Sequence, residues 1–406
     1  MQNKSIYNDN VFKLLGLNLV LVIIGYASVN VGGETVFNIL KNIRLAVLIF
    51  SIVFVLNSNG FRIKRLKNNR KIFVFLIFVA LLTLLSPLPG ESFFKALTFI
   101  FPFTYIIFSI NYLLKYGALK LLISFSVMIL IAYILVPISF LLFGGDLSGS
   151  NVYGEMEGQA FVSNQFGWGS ALVILSAFTV LKYIRLKKIY KVLVFLAVLL
   201  SIYILIVSAN RSGMLSVGLG VVALLLKDRS LVFYKKIMVV LPLILITLYV
   251  ANKENSAIDF LMEKNEMQLE TGQEGRYIAA VTMIEKFNEE PIRWFTGVGM
   301  FNYEFLKKSN SILKGYHNSY FEILFGAGIL LFSLFLYFML LYPFKVFWQR
   351  TVHYSLLFFP LTIIPFFESD LTAGQFLFFP WFSYILILNA KELSFATPLA
   401  LRSSGN

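Results

Sequence analysis

The sequence predicts an all-α polytopic membrane protein of about twelve transmembrane helices, with a partly helical cap on the outer face between spans nine and ten. Composition is the first ground. Of 406 residues, 58% are hydrophobic and only 14% are charged, whereas soluble domains carry about a quarter charged residues. Mean hydropathy is +0.78. The second ground is run length: several apolar runs exceed the roughly 18 residues that mark a membrane helix. They are too long and too uniformly apolar for barrel strands. The third is an alternation of charge between successive loops.

The spans lie near residues 12–31, 38–57, 72–88, 94–111, 121–144, 164–182, 192–209, 212–226, 233–251, 319–341, 354–367 and 374–390. The first run follows Lys4 and Lys13 and precedes Tyr26-Ala27-Ser28, as in a signal peptide. It continues to about Val31, long enough to span, and is read as a retained first helix. Arg62, Lys64, Arg65, Lys67, Arg70 and Lys71 crowd the loop after the second span. Lys115 and Lys120, then Lys182 to Lys191, then Lys227 to Lys236, then Lys345 and Arg350 follow the fourth, sixth, eighth and tenth. Basic loops stay in the cytoplasm, so these even exits and both termini are assigned there. The odd exits are poor in basic residues: 145–163 carries Asp146, Glu155 and Glu157 and no Lys or Arg. The same rule explains the net charge of +14 without a nucleic-acid partner. Zero cysteines exclude disulfides and thiolate metal sites.

The organisation is therefore residues 1–251 as spans one to nine, 252–318 as the outer cap, 319–391 as spans ten to twelve, and 392–406 as a cytoplasmic tail. Within the cap, Ile278, Val281 and Ile284 recur at helical spacing between Arg276 and Phe287, with Pro291 placed to follow as a breaker. Trp294, Phe295, Phe301, Tyr303 and Phe305 surround Gly297 and Gly299. A plain linker needs no such anchors.

Charges at span ends are functional candidates by default. Arg211 lies in "VSANRSGMLS", a very short outer turn where the positive-inside rule disfavours it. It either snorkels to headgroups or meets a ligand. Lys41 and Arg44 lie one turn apart near the outer end of the second span. They suit a structural ion pair as well as a substrate role. Lys95 is weaker and suits snorkelling. Arg276 and Arg293 read first as charges on a solvated helix, Arg276 beside Glu270 and Glu274. His317 precedes Asn318 at the start of an apolar helix, where Asn318 suits an N-cap and His317 suits either interface packing or acid–base work. The other histidine, His353, has no companions. No phosphate-binding glycine loop, D-x-D pair or H-E-x-x-H helix is present. An outer cluster of cations suits an anionic, lipid-borne substrate, since arginine grips phosphate oxygens in pairs.

Three stretches together resemble the O-antigen ligase and polymerase family of bacterial surface-polysaccharide assembly. They are "SANRSGMLSVGLG", "EGRYIAAVTMIEKFNEEPIRWFTGVGMFNY" and "YHNSYFEILFGAGILLF". The resemblance spans roughly residues 160–345, and its strength lies in the order of the three rather than in any one. It implies a GT-C-like fold in the bacterial inner membrane, with the site on the periplasmic or extracellular face. It also implies metal-independent, cofactor-free, inverting glycosyl transfer from an undecaprenyl diphosphate-linked glycan, donor and acceptor both being lipid-borne. His317, Arg211 and Arg276 match the catalytic positions. Arg44, Lys41, Arg293, Asn318, Tyr316, Glu368 and Asp370 are candidates for holding diphosphate or glycan. A chain-length regulator and a flippase of the same pathway are the implied partners beside membrane lipids. Ligases often carry a second histidine two residues before the His-Asn; here that position is Gly315, which favours a polymerase. A ligase acting on lipid A-core is the alternative. A lipid-linked oligosaccharide flippase is a further rival, but transporters tend to show repeats, and none is visible here.

Overall fold

The computed structural model describes residues 6–59, 70–142, 157–184, 186–207, 211–227, 275–299, 318–341, 344–345 and 362–363. All regular structure among them is helical. The helices are α1 (Asn10–Asn59), α2 (Arg70–Leu82), α3 (Pro89–Leu113), α4 (Ala118–Leu142), α5 (Glu157–Tyr183), α6 (Lys188–Val207), α7 (Arg211–Lys227), α8 (Gly275–Glu289), α9 (Arg293–Thr296) and α10 (Ser319–Leu336). Among the described residues, three segments are long and apolar enough to cross a membrane: Ser92–Tyr116, Lys188–Ile206 and Ser319–Leu336. Shorter apolar helices flank them.

α1 covers both of the first two expected spans as one helical run. It cannot be straight. Asn18 and Ser51 would stand about 50 Å apart along a continuous axis, yet Asn18 Nδ2 donates to Ser51 Oγ at 3.0 Å. The run therefore doubles back, and this buried polar pair ties its two arms. Interhelical bonds of this kind are worth about 0.6 kcal/mol where lipid surrounds them.

α1 packs on α3 and α4, and α5 packs between α4 and α6 and also touches α7. One continuous core joins α1 to α7 and the α10 face bearing Tyr320, Ile323 and Ala327. The opposite faces of α2 and α6 expose Ile77, Phe78, Leu193 and Leu196. A helix apolar on all sides is what a bilayer requires.

The two ends of α3 mark opposite ends of the bundle, since its 25 residues rise about 37 Å. At its C-terminal end, Lys115 Nζ lies 2.9 Å from Asp9 Oδ2 and 3.5 Å from the Tyr112 ring centroid. Tyr116 donates to the same carboxylate at 2.8 Å, and Asp9 Oδ1 caps α1 through Val11 N. Burial pushes the Asp9 carboxyl up, but the bonds from Lys115, Tyr116 and Val11 outweigh it and hold its pKa below the ordinary value. The N-terminal segment and the loop after the expected fourth span thus share one end, as their assignment to one compartment requires. The cap segment lies at the other end of α3.

A candidate site at three helix starts

α8 runs from Gly275 to Glu289 and covers the helix expected in the cap. Its buried stripe is Ala279, Met283 and Phe287, sharing a small core with Val298 and Phe325, and not the expected Ile278, Val281 and Ile284. The first two of these are half-buried and Ile284 is exposed, because the helix turns its 279/283/287 face to Phe325 of α10. The Phe287 ring meets Trp294 and Phe325 edge-on at 5.3 and 5.5 Å. Of the aromatics expected around Gly297, Trp294 thus has a packing function and Phe295 stays exposed; Phe301, Tyr303 and Phe305 lie outside the described residues. Pro291 follows the helix, and α9 begins at once behind it.

α10 is broken. Gly328 has φ 76° and ψ 170°, inside what would otherwise be a single span. Gly297, the C-cap of α9, has φ 67° and ψ −169°. Both lie in a backbone region essentially reserved for glycine. The two sites face each other. A Cβ on Gly328 would collide with Phe295 O, and one on Gly297 would collide with Gly326 O. The close approach has a purpose: Val298 N donates to Phe325 O and Gly299 N to Gly326 O, both at 2.9 Å. Carbonyls beside a helix break need outside donors, and in a membrane an unmet backbone group costs several kcal/mol. The strap 297–299 supplies them. The neighbour that the glycine pair at 326 and 328 admits is thus an extended loop.

Asn318 is the N-cap of α10. Its Oδ1 accepts from Tyr320 N at 2.9 Å and Phe321 N at 3.1 Å. One turn on, Glu322 is fully buried, and its amide donates to Asn318 O. A carboxylate in a helix's first turn is favoured by the positive end of the helix dipole.

Arg211 opens α7. The next residue, Ser212, is buried and accepts a hydrogen bond from Trp168 Nε1 of α5 at 3.2 Å. Ser216 Oγ donates back to Ser212 O at 2.7 Å. The start of α7 is thereby tied to its neighbour. Arg276 is the second residue of α8. Both arginines stand at helix N-termini, where a cation is disfavoured unless an anion joins it.

Arg293 differs. Its Nε is 3.0 Å from Glu290 Oε2 and its Nη1 donates to Leu85 O at 3.4 Å, so it links the cap to the turn before α3. Arg44 and Lys41 lie on the second arm of α1, Arg44 half-buried. His317, Tyr316, Glu368 and Asp370 lie outside the described residues.

Sequence reasoning passed over Glu322, Trp168 and the serines of "SPLPGES". Two signals were available: an acidic residue inside an apolar run, and two Gly-x-Gly stretches of identical spacing.

The chain is thus an integral membrane protein whose described regular structure is helical, with Arg211, Arg276 and Asn318 at helix starts. Residues 196–336, which include α7 to α10, match the family described as O-antigen ligase. This match supports membership of the O-antigen ligase and polymerase family, whose members are glycosyltransferase-like enzymes. No curated protein matches the chain.

Proposed function

We propose that the protein is a polysaccharide repeat-unit polymerase working on the outer face of the cytoplasmic membrane. It transfers a growing glycan from undecaprenyl diphosphate to the non-reducing end of an incoming lipid-linked repeat unit. The observation that carries this reading is that the family-matched segment holds the helix starts bearing Arg211 and Arg276 together with the cap residue Asn318. Arginine at a helix N-terminus adds a full charge to backbone N–H groups already turned outward, a combination suited to diphosphate.

In the proposed step, the acceptor hydroxyl attacks the donor's anomeric carbon, and the bond from that carbon to the diphosphate oxygen breaks. The hydroxyl proton passes to His317, whose class of side chain exchanges protons near neutral pH. The electron pair leaves on undecaprenyl diphosphate, where Arg211 and Arg276 meet the developing charge. Single displacement inverts the anomeric centre. Gly315 in place of a second histidine favours the polymerase over the ligase.

The test uses full-length protein in proteoliposomes with a lipid-linked repeat unit as sole substrate. Lengthening of the glycan, lost in Arg211→Ala, Arg276→Ala and His317→Ala at equal folded yield, is expected. Relocation of the unit across the bilayer without lengthening would sink the enzyme reading. Transfer only to an added lipid A-core acceptor would replace the polymerase with a ligase.

A further inference from the structure

The strap 297–299 does not stand alone. On the side away from α10 it rests on the turn 83–88 and the start of α3. Ser86 Oγ donates to Val298 O at 2.7 Å and accepts from Leu88 N at 3.2 Å. It also lies 2.8 Å from Ser92 Oγ. A serine hydroxyl has one donor and two acceptor positions; with Ser92 donating, all are filled. Ser86 is buried and Ser92 fully so. A Cβ on Gly299, which has φ 95°, would stand 2.5 Å from Ser86 Cβ and 2.7 Å from Ser92 Oγ. Arg293 holds the same turn through Leu85 O. Ser86 and Ser92 both lie outside the family-matched segment 196–336.

Val298 is therefore gripped from both sides. Its carbonyl is held by Ser86, and its N–H is fixed on Phe325 O. Phe325 lies two turns into α10 from the Asn318 cap. Gly328 interrupts α10, so the segment 319–327 is held by several contacts. They are this brace, the core beneath Tyr320, Ile323 and Ala327, the Phe335 ring against Tyr320, and the bond from the Tyr320 hydroxyl to Thr362 O at 3.0 Å. The brace is the one that ties it to the turn before α3. We propose that Ser86 is a positioning residue for glycan transfer: through the strap it helps to set where the helix start capped by Asn318 stands. The proposal rests on the polymerase reading above.

The experiment compares wild type, Ser86→Ala and the milder Ser92→Ala as full-length protein in proteoliposomes with lipid-linked repeat units. Amide hydrogen exchange is measured on the same preparations without substrate. Ser86→Ala removes the hydroxyl that ties the strap to the turn before α3, so kcat falls roughly tenfold while KM stays within about twofold, the loss being one of alignment. Ser92→Ala shows the same pattern, smaller. Exchange at Val298 and Gly299 accelerates in both. Combining Ser86→Ala with Asn318→Ala costs less in kcat than the product of the single losses, because both disturb one helix start. Accelerated exchange with unchanged kcat, or strictly multiplicative losses, would overturn the positioning role. Unchanged exchange in Ser86→Ala would overturn the brace itself. Wild-type protein that lengthens no glycan would instead remove the polymerase reading, with exchange still deciding the brace.

Discussion

Alanine at Gly328 tests whether the broken span and its strap hold the outer end together. The added Cβ meets Phe295 O and comes 2.5 Å from the Phe295 carbonyl carbon. Neither is the far end of a flexible side chain, so backbone must move. A non-glycine residue at φ 76° and ψ 170° costs about 1–3 kcal/mol in strain alone. Displacing α9 from α10 also lengthens the bonds from Val298 N and Gly299 N, worth about 0.5–1.5 kcal/mol each. The sum is about 2–6 kcal/mol, against a total stability that is about 5–15 kcal/mol for typical domains. The assay is denaturant unfolding of purified protein in mild detergent, followed by tryptophan fluorescence, with Gly218→Ala alongside. Gly218 lies within α7 and has nothing within 4 Å of an added Cβ, so its replacement is expected to be neutral or stabilising by up to about 1 kcal/mol. Equal midpoints for the two variants would refute the account of the break. So would a Gly328→Ala protein whose Val298 and Gly299 amides exchange as slowly as in wild type.

Further outcomes follow from single contacts. Asn318→Ala removes the cap from the buried Tyr320 N–H and the part-buried Phe321 N–H and is expected to cost about 1–2 kcal/mol, with Asn318→Asp retaining most of the stability; the same unfolding assay decides. Trp168→Phe removes the tie to Ser212. It should lower stability by about 1 kcal/mol and slow glycan lengthening, since Arg211 is the adjoining residue; unaltered turnover would count against Arg211 needing a fixed helix start. Asp9→Asn loosens the Lys115 contact. Because the folded Asp9 pKa is depressed, its contribution is present above about pH 3.9 and is lost as pH falls through the folded value. Lys115 is more than a third exposed, so the difference from wild type is expected to be under about 1 kcal/mol at pH 7 and to shrink as the pH falls through the depressed folded value. A difference that grew on acidification would have the wrong sign.

Much of the molecule is legible in its sequence, because lipid imposes strong one-dimensional constraints. Hydrogen bonds closed within each helix demand long apolar runs, and those runs can be counted along the chain. The alternation of Lys and Arg orders the loops, and the structure joins Asp9 to Lys115 at one end as that order requires. The cap helix was visible from its 3.6-residue period, and the Asn318 cap from residue type. The three motif stretches led to the family that residues 196–336 match.

What only the tertiary structure decided is how distant segments complete one another. A glycine advertises freedom but not its use; Gly297 and Gly328 become necessary only when each lies against the other's neighbouring carbonyl. Hydropathy saw residues 319–341 as one span, because a break repaired by outside N–H groups leaves no trace in apolar content. Arg293 read as a solvated charge until the fold brought Leu85 O beside it. Nothing local marks Ser86, since its partner Val298 is 212 positions away. Local propensity and lipid solvation act along the chain and are written there. The pairing of a strap, a broken helix and a buried hydroxyl depends on contacts across the chain, which have no period to reveal them.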